Sequence, residues 1–314
     1  MKKPRIVFMG TPEFAVASLK ALVDNNYNVV GVITAPDKPA GRGRKLRTSA
    51  VKDYAVENDL LVLQPSNLKD PSFLEELKSL QADLQVVVAF RMLPEQVWRM
   101  ASSGTFNLHA SLLPEYRGAA PINWAIINGE IKTGLTTFYI NEQIDTGAIL
   151  LQREVPIGPD DTAGNLHDIL MEAGSDLVLE TVESICQGEA NPRDQPNLKL
   201  KPAPKLNKDN CRIDWSMPLD KIYNHIRGLN PYPSAWTLLQ HDQDQIECKI
   251  HSAIIVKESH GLRPGTIRTS KKEILVAAAD GFIKIKNLQL SGKRKMDVVS
   301  FLNGFRFEPN DKFI

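Results

Sequence analysis

The feature that most constrains this chain is the alternation of short apolar runs with helical patterns through its first half. RIVFMG leads into a helix after Thr11, and NVVGVIT, a helix near SAVKDYAVEND, LVLQP, a helix near PSFLEELKSL, LQVVVAF and TFNLHA follow in turn. Strands joined through helices run parallel, and the helices cover the sheet on both faces. The expected fold class is therefore α/β, with a mostly parallel sheet. Thr11 is expected to cap the first helix, with Pro12 at its first position. Further on, TAGNLHDILMEAGSDLVLETVESICQG spaces Leu166, Ile169, Leu170, Ala173, Leu177 and Ile185 at helical intervals, which predicts a long helix against the sheet, stopped by Gly188.

From Glu189 to Lys208 the periodicity fails. EANPRDQPNLKLKPAPKLNK is rich in proline, asparagine and lysine and reads as a partly extended interdomain linker. Beyond it come short β-like runs, SAWTLLQ, IECKIHSAIIV, GTIRTS, EILVAAAD and GFIKIKNLQL, which suggest a small all-β domain such as a barrel. One helix around PLDKIYNHIRGL precedes them. The expected plan is a first domain over 1–189, a basic, proline-rich linker over 190–207 and a β-barrel domain over 208–314, and a chain of 314 residues has room for it.

Cys186, Cys211 and Cys248 lie far apart and none sits in a C-x-x-C pair, so they fit neither a disulfide framework nor a zinc site. No run approaches the roughly 18 apolar residues of a membrane helix, and the opening MKKPRIVFMGTPEF turns straight into a strand. A reduced, cytoplasmic, soluble protein is expected. Neither a heptad run nor an apolar edge demands association, so a monomer is expected as well.

Two nucleotide-binding signatures are absent. GTPEF supplies only Gly10 where G-x-G-x-x-G needs three glycines, and AGRGRKL lacks the Walker spacing, with Leu46 after Lys45. PDKPAGRGRKLRTSAVK matters for its charge. Lys38, Arg42, Arg44, Lys45, Arg47 and Lys52 oppose a single Asp37 in a chain whose net charge is only +1. Such a run can simply face water, or it can be an arm that contacts a nucleic-acid backbone. Lys199, Lys201, Lys205 and Lys208 in the linker, with Lys293, Arg294 and Lys295 in GKRKM, repeat the theme and favour the arm.

The chemistry is concentrated in GTFNLHASLLPEYRGAAP, residues 104–121. A strand repeats every two residues, so Asn107 and His109 share one face while Leu108 takes the other. In open parallel sheets ligands bind outside the carboxyl ends of strands, where this amide and imidazole fall. A third polar group, Asp145, stands before Thr146 and Gly147 in FYINEQIDTGAILLQ. Taken singly, a strand-end histidine is more often structural and a turn aspartate is commonplace. If Asp145 folds back onto the strand end, amide, imidazole and carboxylate form a cluster without a nucleophile, because Ser111 follows His109 with no G-x-S-x-G around it. Such a cluster suits acyl transfer in which the acceptor amine itself attacks: the developing oxyanion needs a donor and the amine must lose a proton.

FNLHASLLPEYRGAAPINWAIING followed by IDTG resembles the signature of the 10-formyltetrahydrofolate-dependent formyltransferases. The resemblance runs nearly end to end. RIVFMGTPEFAVASL, PDKPAGRGRKL, APKLNKD and CRIDWSMPLDKIYNHIRGLNPYPSAW are similar to the subgroup that acts on methionyl initiator tRNA. It implies a Rossmann-like catalytic domain that binds 10-formyltetrahydrofolate as cosubstrate, and a C-terminal OB-like barrel that helps hold the tRNA. It implies Asn107, His109 and Asp145 as catalytic residues, Ser111, Leu112, Leu113 and Pro114 as folate-binding, and Arg42, Arg44 and Lys45 as tRNA-binding, with no metal. The chain departs from the family where an A-Y-G segment lines the pterin pocket, having Ala89, Phe90 and Arg91 there. The implied reaction is formyl transfer to the α-amine of methionine on initiator tRNA. Transfer to a small amine, such as a glycinamide ribonucleotide or an amino sugar nucleotide, is the rival reading, and a tRNA binder without catalysis is a second.

Overall fold

The structure, a computed structural model, describes residues 3–40, 45–196 and 200–314. The chain divides into two compact units, one of Met1–Gly118, Thr133–Val155 and His167–Pro202, the other of Ala119–Lys132, Pro156–Leu166 and Ala203–Ile314.

The first unit is built on β1 (Arg5–Gly10), β2 (Asn28–Ile33), β5 (Val62–Leu63), β6 (Leu84–Val88), β7 (Thr105–His109), β8 (Lys132–Tyr139) and β9 (Ile149–Pro156), with the short pair β3 (Lys38–Ala40) and β4 (Lys45–Arg47) apart from them. The sheet runs in the order β5-β2-β1-β6-β7-β8-β9. β5, β2, β1, β6 and β7 pair in parallel, and β8 lies antiparallel to β7. The mostly parallel sheet expected from the βα alternation is therefore present. Ile6, Val7, Phe8, Met9, Leu84, Val86, Val87 and Val88 are buried, as central strands covered on both faces require. The chain builds outward from β1 through β2 to β5, then returns to place β6 and β7 on the opposite side. The point where the order reverses is where such sheets bind ligands, beyond their carboxyl ends.

Helices α1 (Glu13–Asp24), α2 (Ala50–Glu57), α3 (Pro71–Ser79), α4 (Glu95–Trp98) and α6 (Ala163–Gln187) accompany the sheet, and α5 (Pro121–Ile127) follows β7 in the chain. Ser49 and Asp70 cap α2 and α3 through their side chains. At α1 the expectation for Thr11 fails: Pro12, extended at ψ 174°, is the capping residue and no side chain caps the helix. In α6 the buried stripe is Leu166, Leu170, Leu177, Val178, Thr181 and Val182, whereas Ile169 is exposed. At about 100° per residue, Ile169 falls well to the side of that stripe although it stands three positions from Leu166. Gly188, at φ 71°, follows the helix end.

The second unit carries β10 (Ala235–His241), β11 (Asp244–Val256), β12 (Ile267–Thr269), β13 (Ile274–Ala277), β14 (Phe282–Leu290), β15 (Met296–Asp297) and β16 (Lys312–Phe313), with α7 (Leu219–Gly228) and α8 (Val298–Leu302). The strands pair antiparallel in the order β12-β13-β14-β11-β10-β16. The ends nearly meet, because Lys312 of β16 bridges Thr266 and the Phe313 amide donates to the Gly265 carbonyl just before β12. The result is the nearly closed barrel expected for this half. Trp215, Leu239, Ile250, Ile283, Leu288 and Phe313 fill it, and Leu219, Ile222 and Ile226 of α7 seal one side. No helix among the described residues is long and apolar enough to cross a membrane.

Candidate active site

β7 carries the strand-end pair because its two faces meet different neighbours. Leu108 packs onto Gly174 of α6, where a Cβ would come within 2.9 Å of its Cδ2. Asn107 and His109 therefore take the other face, with Asn107 opposite Val87 and Phe138 and His109 opposite Thr136. His109 is buried and Asn107 half-buried.

The imidazole is held at one edge. Its Nε2 lies 2.9 Å from the carbonyl oxygen of Tyr116. Tyr116 is at φ 60° and donates its own amide to the Lys201 carbonyl. The other ring nitrogen, Nδ1, faces Asp145, with 3.9 Å between it and Oδ2. That is too long for a hydrogen bond and short enough for a charge to be felt. The same Oδ2 accepts from the Gly118 amide at 2.9 Å.

Asp145 stands in the turn between β8 and β9 at φ 55°. Gly147 is required there, because a Cβ on it would lie 1.6 Å from the Tyr139 carbonyl oxygen. Gln195 crosses the turn, its Nε2 donating to the carbonyls of Asp145 (2.9 Å) and Gly147 (2.8 Å). Its Oε1 accepts from Arg117 Nε and Nη2 at 3.2 and 2.6 Å. The three candidate catalytic residues are thus brought to one place.

The SLLP segment is laced to the sheet. Ser111 Oγ is buried and donates to the Glu115 carbonyl at 2.6 Å. Thr136 Oγ1 donates to the Ser111 carbonyl and accepts from the Leu113 amide, and Gln152 Nε2 donates to the Leu113 carbonyl. Leu113 itself packs with Phe138 and Ile149. Of these four side chains only Leu112 and Pro114 are partly exposed.

At the departure from the family pattern, Ala89 is at φ 48° and the Arg91 guanidinium reaches away to the carbonyls of Pro65 and Ser66. In the basic stretch, Arg42 and Arg44 lie outside the described residues, as does the Lys45 side chain. β3 and β4 pair on either side of them, Lys38 opposite Arg47. Lys52 is committed elsewhere: its Nζ is 2.5 Å from Asp37 Oδ2, and Gln64 donates to Oδ1. The Gln64 amide and the Lys52 ammonium hold the Asp37 carboxyl below the usual carboxylate range. The net positive charge of the stretch is therefore carried without Lys52.

Sequence reasoning did not single out Tyr116, Thr136, Gln152 or Gln195. Tyr116 contributes a backbone carbonyl, which no residue type reveals. Gln195 sits in an aperiodic stretch, 50 residues from the aspartate whose turn it holds.

Both halves of the chain match one class of enzyme. The formyl transferase profile matches residues 4–182 and the formyl transferase C-terminal domain matches 205–306, so the chain belongs to the formyl transferase family. The methionyl-tRNA formyltransferase of Flavobacterium johnsoniae is 56% identical over 313 residues, covering 99% of each chain. That of Parabacteroides distasonis is 54% identical over 316 residues, covering 98% of each. Within the family, these relatives put the chain among the methionyl-tRNA formyltransferases. Among solved structures, the N-formyltransferase of Helicobacter canadensis in complex with folinic acid and dTDP-3-aminofucose shares the fold, with a TM-score of 0.68 at 22% identity over 93% of this chain and 100% of that one.

Proposed function

We propose that this chain transfers the formyl group of 10-formyltetrahydrofolate to the α-amino group of methionyl initiator tRNA, giving N-formylmethionyl-tRNA for translation initiation. The observation that carries this reading is the 56% identity over 99% of the chain to an enzyme of that name. Transfer to a small amine is not favoured, since the amino-sugar enzyme of like fold is only 22% identical.

The bonding of the three polar residues supports a role for each. A carbonyl only accepts, so the hydrogen of a neutral His109 ring sits on Nε2, against Tyr116, and leaves a lone pair on Nδ1. Nδ1 takes the proton that the attacking amine must lose and returns it to the departing folate nitrogen. Asp145 faces this nitrogen with its Oδ2 at 3.9 Å and so orients the ring. The Asn107 amide donates to the formyl oxygen as negative charge gathers there.

Folinic acid in the Helicobacter structure supports a folate site in this fold. On this reading the SLLP segment, Ser111 to Pro114, shapes the folate pocket through Leu112 and Pro114, while Ser111 and Leu113 secure its backbone. Arg42, Arg44 and Lys45 contact tRNA phosphates, with domains at 1–189 and 208–314 joined by the 190–207 linker. The protein acts in the cytoplasm as a monomer. Formylation of methionyl-tRNA, measured beside free methionine and glycinamide ribonucleotide, tests the reading, and transfer to either small amine at a comparable rate would contradict it.

A further inference from the structure

We infer that Gln195, acting with Arg117, is a positioning residue that aims the Asp145 carboxylate at His109. The inference rests on the catalytic reading of Asp145. Its ground is a closed circuit of hydrogen bonds. Starting at the Asp145 carbonyl, the path runs to the Gln195 amide nitrogen, through the Gln195 oxygen to the Arg117 guanidinium, and along the backbone to Gly118. It then crosses from the Gly118 amide to Asp145 Oδ2. One residue is thus gripped both at its main chain and at its reacting group.

The grip has work to do because of the backbone it holds. A non-glycine residue at φ 55° sits in a sparsely populated region and persists only where its surroundings over-determine it. Gln195 spans the turn with both amide hydrogens, one on the carbonyl of Asp145 and one on that of Gly147. Arg117 uses two nitrogens of its fork on the Gln195 oxygen, which fixes the amide's orientation and hence which end of it faces the turn. Gln195 lies between the two matched family profiles, which end at 182 and resume at 205. The segment that reads as a spacer therefore supplies a part of the site.

The test compares Gln195→Ala, Gln195→Glu and Asp145→Ala with the unaltered enzyme, alone and in the Gln195→Ala/Asp145→Ala double variant. Each is assayed for kcat and KM toward methionyl-tRNA and for melting temperature. Misplacement of a catalytic group by a fraction of an ångström to one ångström costs roughly ten- to a hundredfold in rate. Gln195→Ala is expected to lower kcat by about tenfold with KM for both substrates within about twofold. Gln195→Glu keeps an oxygen for Arg117 but loses both donors to the turn, and is expected to show at least the same loss of kcat. In the Asp145→Ala background, removing Gln195 is expected to cost nothing further, because there is no carboxylate left to aim. An unchanged kcat in Gln195→Ala and Gln195→Glu, or the same tenfold loss in the Asp145→Ala background, overturns the inference while leaving the catalytic reading in place. Full activity in Asp145→Ala overturns the catalytic reading itself, and the inference with it.

Discussion

His109 Nε2 lies 2.9 Å from the carbonyl oxygen of Tyr116, so in the neutral ring the nitrogen turned toward Asp145 is the one that carries the lone pair. Replacing His109 by Gln leaves an amide that can still donate to the Tyr116 carbonyl but cannot carry a proton. His109→Gln is expected to fold with a nearly unchanged melting temperature and to lose on the order of a hundredfold or more in single-turnover formyl transfer. Activity within a few-fold of the unaltered enzyme would remove His109 from the proton path.

Asn107→Ala and Asp145→Ala remove the other two members. Each is expected to reduce single-turnover transfer by about a hundredfold or more, with tRNA affinity nearly unchanged in a filter-binding assay. Losses confined to tRNA affinity would assign both residues to binding.

The turn that carries Asp145 depends on Gly147, whose added Cβ would lie 1.6 Å from a backbone oxygen. No rotamer relieves such a contact, and overpacking of this kind costs about 1–3 kcal/mol or more. Gly147→Ala is expected to lower the melting temperature and to reduce kcat together. A thermally unchanged, fully active variant would mean that the turn is freely remade.

In the barrel, Phe313 is buried and stacks on Trp215 with ring centroids 5.7 Å apart, holding the last strand to the core. Phe313→Ala is expected to cost about 3–5 kcal/mol in urea unfolding of the full chain. A cost below about 1 kcal/mol would mean that the strand end contributes little to closure.

His241 Nδ1 lies 2.8 Å from Asp311 Oδ2, and that hydrogen bond raises the imidazole above its ordinary range. A raised folded value means that the protonated form is favoured by folding, so its stabilising effect is full below the unfolded histidine value of about 6.5. It fades as the pH climbs through the raised value. The stability advantage of the unaltered protein over His241→Gln is expected to be largest near pH 5.5 and to shrink toward pH 9, measured by thermal melts. An advantage that is flat with pH would contradict the linkage.

Much of the first unit was legible because its signals are local. Buried parallel strands must be apolar along their length, so β1, β2 and β6 stand out of the sequence, and in β7 two-residue periodicity alone puts Asn107 and His109 on one face. What escaped depends on distant partners. The Thr11 cap gives way because the chain enters α1 through an extended Pro12. The grouping of residues 119–132 with the C-terminal half rests on pairs such as Asn123 Nδ2 with the Gly228 carbonyl, 105 positions away, which no window of sequence contains. Lys52 counts as free charge in a list of residues and is spent on Asp37 in space. Gln195 carries no periodicity at all, and only the fold shows what it touches.

The most direct measurement is formyl transfer from 10-formyltetrahydrofolate to methionyl initiator tRNA, run beside free methionine and glycinamide ribonucleotide at rising salt. Transfer to the tRNA alone, with kcat/KM falling steeply as salt screens the phosphates, is the expected result. Transfer to a small amine that is indifferent to salt would contradict the assignment of the acceptor and of the basic stretch around Arg42.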